Sequence, residues 1–408
     1  MTRILLLTQW FDPEPTFKGL FFAKALQNLG FDVEVVTGFP NYPGGKVYPG
    51  YKISALKREV VEGVHVTRLP LYPSHSGSAL GRICNYLSFG ASALVYCLLR
   101  ARRPDVVYTY HPPLTVAVVA AVMRFFRRTP VVLDLQDLWP DTLKSTGMFS
   151  NRSGLAIIGK VCNWVYRHVD QVVVLSPGFK RLLMERGVPG SRIDVIFNWC
   201  HEDALRAPIP AAPRNFPGGD RFRILYAGNM GKAQALSAVL NAAKLLESRA
   251  PKVSFIFLGG GVELQALTRR VEDDQSTNIV FIPGVPMSDV GAYLQSADAL
   301  LVHLKKDPLF EITIPSKTQA YMAIGKPVLM AVGGDAAELV LKADCGVVAE
   351  SENAESIADA AVKLAELDIA ECRAMGDRAR RFYFENLALD IGVRSFEGLF
   401  RRLAASRG

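Results

Sequence analysis

Short apolar runs alternate with amphipathic stretches along most of the chain. The runs are rich in branched side chains, which is typical of strands that helices cover on both faces. In the first half of the chain the predicted strands are Ile4–Thr8, Val33–Thr37, Val64–Leu69, Val106–Thr109, Val131–Leu135, Val172–Leu175 and Ile193–Phe197. The pattern predicts an α/β domain built on a mostly parallel, doubly wound sheet.

A segment rich in proline and glycine separates this series from a second one. Residues 207–219 contain four prolines and two glycines, which favour irregular structure and indicate a domain linker. The second series of predicted strands is Phe222–Ala227, Val253–Leu258, Ile279–Ile282, Ala299–Val302, Val328–Ala331 and Gly346–Val348. We therefore expect two Rossmann-like domains, at residues 1–202 and 222–381, joined by a linker over residues 203–221 and facing one cleft.

The composition is that of a well-packed globular protein. With 408 residues, of which 50% are hydrophobic, the chain is too long for one ordinary core. The six cysteines are scattered and include no CxxC pair, which argues against a disulfide framework or a zinc site. The apolar runs Leu87–Leu99 and Leu114–Met123 are shorter than the roughly 20 residues of a membrane-spanning helix. Because no export signal is evident at the first strand, we expect a cytoplasmic protein.

Positive charge is concentrated in the first half of the chain. Residues 1–200 hold 23 Lys and Arg against 13 Asp and Glu, whereas residues 201–408 hold 24 against 26. Two basic clusters, Arg100–Arg103 and Arg124–Arg128, each follow an apolar helical stretch, which favours contact with an anionic membrane surface. Alternatively, these arginines are solvated at helix C-termini, where they complement the helix dipole. No aromatic and basic strand platform accompanies them, so nucleic acid is not an expected partner.

The segment from Phe310 to Val328 carries the clearest chemical signal. It reads as a loop with one carboxylate, Glu311, then a helix that begins at Pro315-Ser316-Lys317, then a buried strand. Unpaired N–H groups and the positive end of the dipole at a helix start bind anions, and the lysine adds a full charge. Glu311 and Gln319 are suited to bind hydroxyl groups on either side of a diphosphate. The same helix start also fits a plain N-cap with a structural role.

Two further turns follow predicted strands of the second domain. The turn Gly228-Asn229-Met230-Gly231-Lys232 has two glycines, which allow a phosphate to approach the backbone closely. The turn Gly284-Val285-Pro286 ends another strand and is also consistent with an ordinary connection. We interpret the glycine run Leu258–Val262 mainly as tight packing of strand and helix, because a lone glycine run is weak evidence for dinucleotide binding. These turns lie at the C-terminal ends of strands, where sheets of this type bind ligands.

The order of these parts resembles the signature of retaining glycosyltransferases of family 4, which are two-domain GT-B enzymes. That signature is a Glu, seven residues, a second Glu, and then Ala-Met-Ala-x-Gly-x-Pro-Val. Here Glu311 and the residues up to Val328 follow this order, with Gln319 in place of the second Glu. The Pro-Ser-Lys variant resembles a bacterial subgroup that builds O-antigen and exopolysaccharide units and includes proteins named as N-acetyl-L-fucosamine transferases. The resemblance also implies that residues 382–408 form a helix that packs back on the first domain.

For the second domain the resemblance implies a donor site for a nucleotide sugar. Glu311 would bind the transferred sugar, and Gln319, whose amide both donates and accepts, would bind the ribose hydroxyls. The Arg and Lys that grip the diphosphate in most of the family are replaced here, so we expect Lys232 and Lys317 to supply the positive charge. The candidate donor residues of this domain are Gly228, Asn229, Lys232, Gly284, Val285, Pro286, Ile314, Pro315, Ser316, Lys317 and Gln319, with the backbone of residues 284–286 at the nucleotide base.

For the first domain the resemblance implies the acceptor side of the cleft. The family carries His-Asp after the strand that corresponds to Val131–Leu135, and this chain has Gln136-Asp137, so Asp137 is the candidate for orienting the reacting sugar or acceptor hydroxyl. We disfavour a metal-binding pair of Asp134 and Asp137, because Asp134 lies within an apolar run, and we expect no metal. The candidate acceptor residues are Tyr42, Tyr110, His111, Gln136 and Asp137. The tyrosines and the histidine lie in aromatic, proline-rich loops, which are also consistent with rigid surface turns.

Lys18 and Gly19 precede the predicted helix Leu20–Leu29 at the first loop of the chain. A glycine at that position would let the helix start approach the donor diphosphate from the opposite wall, with the lysine beside it. We therefore include both residues in the predicted donor site.

The function implied by the resemblance is retaining transfer of a sugar, such as an N-acetylated deoxyhexosamine, from a UDP-sugar to a polyprenyl-diphosphate-linked saccharide. The expected location is the inner face of the cytoplasmic membrane, with peripheral contact through the basic first domain. Two alternatives share the fold: a UDP-sugar epimerase, and a non-catalytic nucleotide-sugar binding protein. A nicotinamide-dependent oxidoreductase is disfavoured, because the first strand leads into Gln9-Trp10-Phe11 instead of a G-x-G-x-x-G turn.

Overall fold

The computed structural model describes residues 1–74, 79–149, 151–202 and 216–406. These residues form two α/β domains, each built around its own sheet. Most of the predicted linker, residues 203–215, lies outside the described residues. The predicted fold class, two doubly wound domains with C-terminal helices that cross back, is confirmed.

The first domain is built on an eight-stranded sheet. Its strands are β1 Arg3–Leu7, β2 Asp32–Gly38, β3 Lys57–Val61, β4 Val64–Leu69, β5 Val106–His111, β6 Val131–Leu135, β7 Gln171–Val174 and β8 Ile193–Val195. Their order is β3-β4-β2-β1-β5-β6-β7-β8, and β3 pairs antiparallel with β4 while the other neighbours are parallel. The edge strand β3 was absent from the predicted set, because Lys57–Val61 is half exposed and carries three charged residues.

Helices cover both faces of this sheet. They are α1 Leu20–Asn28, α2 Ala79–Leu99, α3 Leu114–Arg127, α4 Asp141–Ser145, α5 Arg152–His168 and α6 Pro177–Glu185. One core joins α2, α3, α5 and α6 to the sheet, and a second core lies on the opposite face around α1. The apolar run Leu87–Leu99 is part of a longer helix than the run itself predicts, since α2 has 21 residues.

Helix α2 is the one helix in the described part of the chain that is long and apolar enough to cross a membrane. It is nevertheless built into the first domain. Phe89, Ala93, Tyr96 and Cys97 on one side of the helix are buried in the core of that domain. Because that side packs on protein, α2 is a surface helix of the sheet in this fold.

The second domain has a six-stranded parallel sheet. Its strands are β9 Phe222–Asn229, β10 Val253–Gly260, β11 Ile279–Pro283, β12 Ala299–His303, β13 Val328–Ala331 and β14 Gly346–Val348, in the order β11-β10-β9-β12-β13-β14. Its helices are α7 Ser237–Arg249, α8 Leu264–Asp273, α9 Met287–Ser296, α10 Pro308–Glu311, α11 Ser316–Ile324, α12 Asp335–Lys342, α13 Ala354–Glu366 and α14 Ile369–Asn386.

The last described helix, α15 Leu389–Ala405, returns to the first domain. Its apolar side, with Phe396 and Phe400, packs on α1 and on Tyr108 of β5. The chain leaves the second domain after Tyr383, whose hydroxyl donates to Glu202 at 2.8 Å. The Glu202 carboxylate also accepts from the backbone N–H of Leu389 at 2.7 Å. The end of the first domain is thus bonded to the segment through which the chain returns to that domain.

Candidate active site

The helix start at Pro315-Ser316-Lys317 lies beside the glycine turn at Gly228, as the sequence predicts. The Lys317 Nζ donates to the Tyr226 hydroxyl at 2.6 Å, and its Cε would lie 2.7 Å from a Cβ at position 228. Gly228 has φ +132°, so the turn requires glycine for both its backbone angle and its contact with the lysine. Burial lowers the pKa of Lys317 to about 7. The structure thus places a partly desolvated amine at the positive end of α11.

Three strand ends meet at this position of the second sheet. Gly259, at the end of β10, has φ +139°, and a Cβ there would lie 2.2 Å from the backbone O of Gly228. Gly284 follows β11, and a Cβ there would lie 3.8 Å from the Gly259 Cα. Gly284 and Pro286 are exposed, so the backbone of this turn faces solvent at the same edge of the sheet as the lysine. Residues 284–286 and the Lys317 amine thus lie at the same edge of one sheet, and their predicted contacts with a base and a diphosphate stay predictions.

The turn after β9 is held by its own polar groups. Gln234 Oε1 accepts from the backbone N–H of Gly231 at 3.0 Å, and Nδ2 of Asn229 lies 3.4 Å from the same oxygen. Lys232 is exposed in the short 3₁₀ turn Lys232–Gln234. Asn229 and Lys232 therefore lie on the surface of the predicted donor turn, on the same strand end as Gly228.

Glu311 is exposed at the end of α10 and lies against the turn between β13 and α12. A Cβ at Gly334 would lie 1.9 Å from the backbone O of Glu311, and Gly334 has φ +65°. This glycine lets the loop that carries the carboxylate pack directly on the start of α12. The side chain stays solvent-exposed, in the loop that leads to Ile314 and the start of α11.

Gln319 is buried, with 1% of its surface exposed. In the amide orientation that satisfies both ends of the side chain, Nε2 donates to the backbone O of Pro315 at 2.9 Å and of Ser316 at 3.3 Å. The side chain therefore binds the backbone carbonyl groups at the start of α11 from the buried side of the helix. Its predicted contact with ribose hydroxyls stays a prediction, and in this structure the amide nitrogen is already occupied.

On the first domain, Asp137 lies in the loop after β6. Its carboxylate has no hydrogen-bond partner in the described part of the chain, and burial raises its pKa to about 6. Tyr110 lies nearby: burial, and then the charges of Asp134 and Asp137, raise the pKa of its phenol. The ring of Tyr42 lies 4.8 Å from that of Trp10 in a tilted contact, and Trp10 is another aromatic residue of the strand-end loops. Asp137, Tyr110 and Tyr42 thus share one end of the sheet, and their role on the acceptor side stays a prediction.

Lys18 is not at the cleft. Its ammonium is fully buried and paired with Asp134 Oδ2 at 2.5 Å, and the same oxygen accepts from Tyr108 at 2.6 Å. The aromatic rings of Trp199 and Phe396 lie 5.2 and 4.8 Å from Lys18 Nζ. The prediction of Lys18 as a diphosphate ligand is therefore wrong, because the lysine neutralises a buried carboxylate in the core.

Gly19 precedes α1, but the helix start is already occupied by a carboxylate. Asp12 Oδ2 accepts from the backbone N–H of Leu20 at 2.7 Å, and a Cβ at Gly19 would lie 2.2 Å from that oxygen. An acidic group at this point opposes a second anion. The structure therefore assigns the glycine a packing role against Asp12 and does not support its predicted contact with the diphosphate.

Two other predicted acceptor residues have mainly internal contacts. His111 is fully buried, its ring nitrogens have no hydrogen-bond partner among the described residues, and burial lowers its pKa to about 3. It packs edge-on against Trp139 at 5.4 Å, so the prediction that it lines an open groove is wrong. Gln136 donates to Asp134 Oδ1 at 2.5 Å and accepts from Asn198 at 2.6 Å, which fixes the loop before Asp137.

Direct contacts join the two walls of the cleft, and no local sequence pattern predicted them. Ser176 Oγ donates to the backbone O of Ile312 at 2.5 Å, next to Glu311. Asp335 accepts from the backbone N–H of Gly178 at 2.6 Å and from Arg181 at 3.1 Å. The start of α6 in the first domain thus binds the loop and helix start that carry the donor-side residues. A Ser-Pro-Gly helix start was the only available signal, and it is common in structural helices.

A second contact between the domains lies beside α4, the helix that follows the Asp137 loop. Ser145 Oγ donates to Asp307 Oδ1 at 3.1 Å, and Lys305 Nζ donates to the backbone O of Ser145 at 2.7 Å. Asp307 is the N-cap of α10, which ends at Glu311. The contact therefore connects the loop of Asp137 with the loop of Glu311 through two short helices.

Family models match both halves of the chain. Residues 22–199 match the model described as "Glycosyl transferase 4-like domain", and residues 212–382 match "Glycosyl transferases group 1". The curated relative WbjE of Pseudomonas aeruginosa, named as a glycosyltransferase, is 24% identical over 310 residues, 74% of this chain and 76% of WbjE. WcaI of Escherichia coli strain K12, whose name assigns it to colanic acid biosynthesis as a glycosyl transferase, is 27% identical over 340 residues, 79% and 81% of the two chains.

Solved structures share the whole two-domain arrangement. A sucrose-phosphate synthase of Thermosynechococcus elongatus superposes with a TM-score of 0.71 at 16% identity, over 100% of both chains. The Anabaena protein HepE, solved in complex with UDP-glucose, superposes with a TM-score of 0.68 at 15% identity, also over 100% of both chains. At these identities the likeness concerns the fold, and the family models carry the assignment. This chain is a GT-B glycosyltransferase of the family 4 type, with a glycosyl transferase 4-like domain followed by a group 1 domain.

Proposed function

We propose that this glycosyltransferase transfers a sugar, with retention of configuration, from a UDP-sugar to a polyprenyl-diphosphate-linked saccharide. The observation that carries the proposal is the buried amine of Lys317 at the start of α11, against the Gly228 turn. Backbone N–H groups, a helix dipole and an ammonium group together suit a diphosphate. The UDP-glucose complex of HepE, a protein of the same fold, agrees with this choice of nucleotide.

In the proposed reaction the donor diphosphate lies on Lys317 and the start of α11. Charge builds on this diphosphate as the bond to the sugar breaks, and a preorganised ammonium and helix start stabilise that charge without a metal ion. Lys232, exposed in the turn that follows Gly228, supplies a second positive charge. The base lies on the backbone of residues 284–286, and Glu311 binds the hydroxyls of the transferred sugar.

Asp137 orients the acceptor hydroxyl from the first domain. In a front-face displacement the acceptor oxygen forms its bond to the anomeric carbon on the side from which the diphosphate leaves. The acceptor proton passes to the departing diphosphate oxygen, so both atoms and charge balance. The carboxylate of Asp137 needs only to accept a hydrogen bond in this step. The contacts of Ser176 and Asp335 across the cleft bring the two sides together and exclude water.

The choice of sugar and pathway follows the relatives and the resemblance. The name of WcaI refers to colanic acid, and the Pro-Ser-Lys subgroup builds O-antigen and exopolysaccharide units. We therefore propose an N-acetylated deoxyhexosamine as the transferred sugar. A lipid-linked acceptor would place the protein at the inner face of the cytoplasmic membrane, with its basic first domain toward the lipid.

Binding and turnover test the proposal separately. UDP-linked N-acetylated deoxyhexosamines should raise the melting temperature, because they bind the folded state. Lys317→Met should weaken that binding by about tenfold or more, whereas Lys363→Met, on the exposed side of α13, should not. Equal affinities of the wild type and the Lys317→Met variant would refute the proposed anion site.

Turnover is measured as UDP release in the presence of polyprenyl-diphosphate-linked saccharide and EDTA. Asp137→Ala, which removes the hydrogen-bond acceptor that orients the hydroxyl, should lower kcat by about a hundredfold with an unchanged Kd for the UDP-sugar. Isomerised nucleotide sugar without acceptor would instead identify an epimerase, and tight binding without any UDP release would identify a binding protein. Loss of activity in EDTA that Mg²⁺ restores would overturn the metal-independent mechanism.

A further inference from the structure

Helix α2 exposes an apolar face along its whole length. Leu80, Ile83, Leu87, Val95 and Leu99 are 69%, 44%, 58%, 59% and 78% exposed, and their spacing places them on one side of the helix. The other side, with Phe89 and Tyr96, is buried in the core of the first domain. An apolar stripe of five large side chains on a surface helix marks an interaction surface.

The neighbouring helices extend this surface. Helix α3 packs beside α2, and its last turn exposes Phe125 and Phe126. Its Arg127 side chain donates to the backbone O of Cys97 at 2.5 Å, so the C-terminal ends of the two helices lie together. Helix α5, which packs on α3, exposes Ile157 and Trp164. We call the exposed side of these three helices the α2–α3–α5 face.

The three helices of this face carry an excess of positive charge. Residues 79–99, 114–127 and 152–168, which form them, contain no Asp or Glu. Arg124 is paired with Asp170 at 2.8 Å, and Arg100 and Arg102 line one cavity with Asp32 and Glu34. The other exposed basic residues of the helices and of the loops that follow them include Arg103, Arg128, Arg152, Lys160 and Arg167. Apolar side chains flanked by an excess of basic residues are the composition of a surface that lies on anionic lipid.

The buried flank of α2 contacts the acceptor loops. Asn85 accepts from Gln9 at 2.6 Å and donates to Asn41 at 3.1 Å, and the ring of Tyr86 lies 6.3 Å from that of Trp10. These partners lie in the loops after β1 and β2, at the C-terminal end of the sheet. One helix therefore links the exposed apolar stripe, through Ile83 and Leu87, to the acceptor end of the domain.

We propose that the α2–α3–α5 face docks on an anionic bilayer with α2 parallel to the membrane plane. The apolar stripe enters the headgroup region and the arginines bind lipid phosphates. The helix does not span the bilayer, because its other side is part of a protein core. Docking itself is independent of the reaction. Its use, which rests on the proposed function, is to place the mouth of the acceptor groove at the headgroups, where the diphosphate of a lipid-linked saccharide lies.

Co-sedimentation of the full chain with vesicles tests the docking. Wild type should bind mixed phosphatidylcholine and phosphatidylglycerol vesicles, and bind pure phosphatidylcholine more weakly. The double variant Ile83→Glu with Leu87→Glu should reduce binding by about tenfold or more. The matched control is Leu341→Glu with Ile369→Glu, which places two glutamates on exposed apolar positions of the second domain and should bind as wild type.

A UDP thermal shift in each variant confirms the fold and keeps the result separate from the proposed function. Equal vesicle binding by the wild type and the Ile83→Glu, Leu87→Glu variant overturns the docking surface. So does a dimer in solution that the same variant converts to monomer without any wild-type binding to vesicles, since the face would then bind a second copy.

A label on Cys84 can report whether α2 faces the membrane. It is the exposed cysteine of the described chain and lies beside Ile83 on α2, whereas Cys372 is partly exposed and the other four are buried. With Cys372 replaced by Ser, an environment-sensitive fluorophore on Cys84 should shift to the blue on anionic vesicles. The same fluorophore at Ile369→Cys, in a chain with Cys84→Ser, should not shift. An unshifted label at Cys84 on protein that sediments with vesicles would refute this orientation.

Discussion

Lys317 shows how one buried amine can make nucleotide binding depend on pH. Burial lowers its pKa to about 7, and a bound diphosphate favours the charged form and raises the pKa again. Below that pH the lysine is already protonated, so affinity should be constant. Above it, binding must take up a proton, and affinity should fall by at most about tenfold per pH unit. The affinity should stop falling once the pH exceeds the pKa that Lys317 has in the bound state.

Calorimetry with a UDP-sugar between about pH 6 and pH 9 measures this dependence, because the diphosphate of such a donor does not titrate there. Buffers of different ionisation enthalpy should report proton uptake on the alkaline side. Lys317→Arg keeps its charge and should bind with nearly constant affinity over the range. A wild-type Kd that is independent of pH would show that the lysine is charged before the ligand arrives.

Lys18 and Lys317 also show what a sequence can specify at the scale of one residue. Each is a lysine next to a predicted helix start, and both were predicted as diphosphate ligands. The difference is Asp134, which lies 116 residues from Lys18 along the chain and meets it in the core. A local pattern contains no information on such a partner. The position of Lys317 was predictable because its helix start and the Gly228 turn both lie at the C-terminal edge of one parallel sheet.

At the scale of elements, periodicity predicted strands much better than it predicted contacts. All strands of the second sheet were found from their apolar runs, because helices bury them on both faces. The half-exposed edge strand β3 and the full length of α2 were missed, since each has one side in solvent. The contacts of α6 with the second domain were also missed. These contacts depend on how the two folded domains face each other.

Gly178 is the position at which that contact between elements can be tested. A Cβ there would lie 2.4 Å from Ile312 Cγ2 and 2.7 Å from Asp335 Oδ2. Gly178→Ala should leave α6 intact, since alanine favours helices, but should hold the two walls of the cleft apart. We expect kcat to fall by about tenfold, with an unchanged Kd for the UDP-sugar, because the proposed donor site lies within the second domain.

The control for this variant is Gly398→Ala, a helical glycine of α15 with open space around its Cβ position. It should keep wild-type kcat. If Gly178→Ala changes the Kd and leaves kcat intact, the contact shapes the donor site and does not serve closure.

At the scale of the whole molecule, the last helix of the chain completes the hydrophobic core of the first domain. Helix α15 follows the second domain, yet Val393, Phe396, Leu399 and Phe400 are buried with α1 and the first sheet. The hydrogen bonds of Glu202 to Tyr383 and Leu389 join the segment that leaves the first domain to the segment that returns to it. The two domains are therefore not independent along the sequence, although each has its own sheet.

Phe396 is the residue through which this dependence can be measured. It is fully buried, and its ring lies 5.1 Å from Phe22 and 5.7 Å from Tyr108. Phe396→Ala should cost about 3–5 kcal/mol of stability, and the loss should fall on the first domain. Calorimetry with and without UDP should then show a lowered transition that UDP does not protect, and a second that it does. Leu403→Ala, at a partly buried position near the end of α15, should shift the first transition much less. One transition that moves as a unit in both variants would mean that the crossing helices couple the domains into a single cooperative fold.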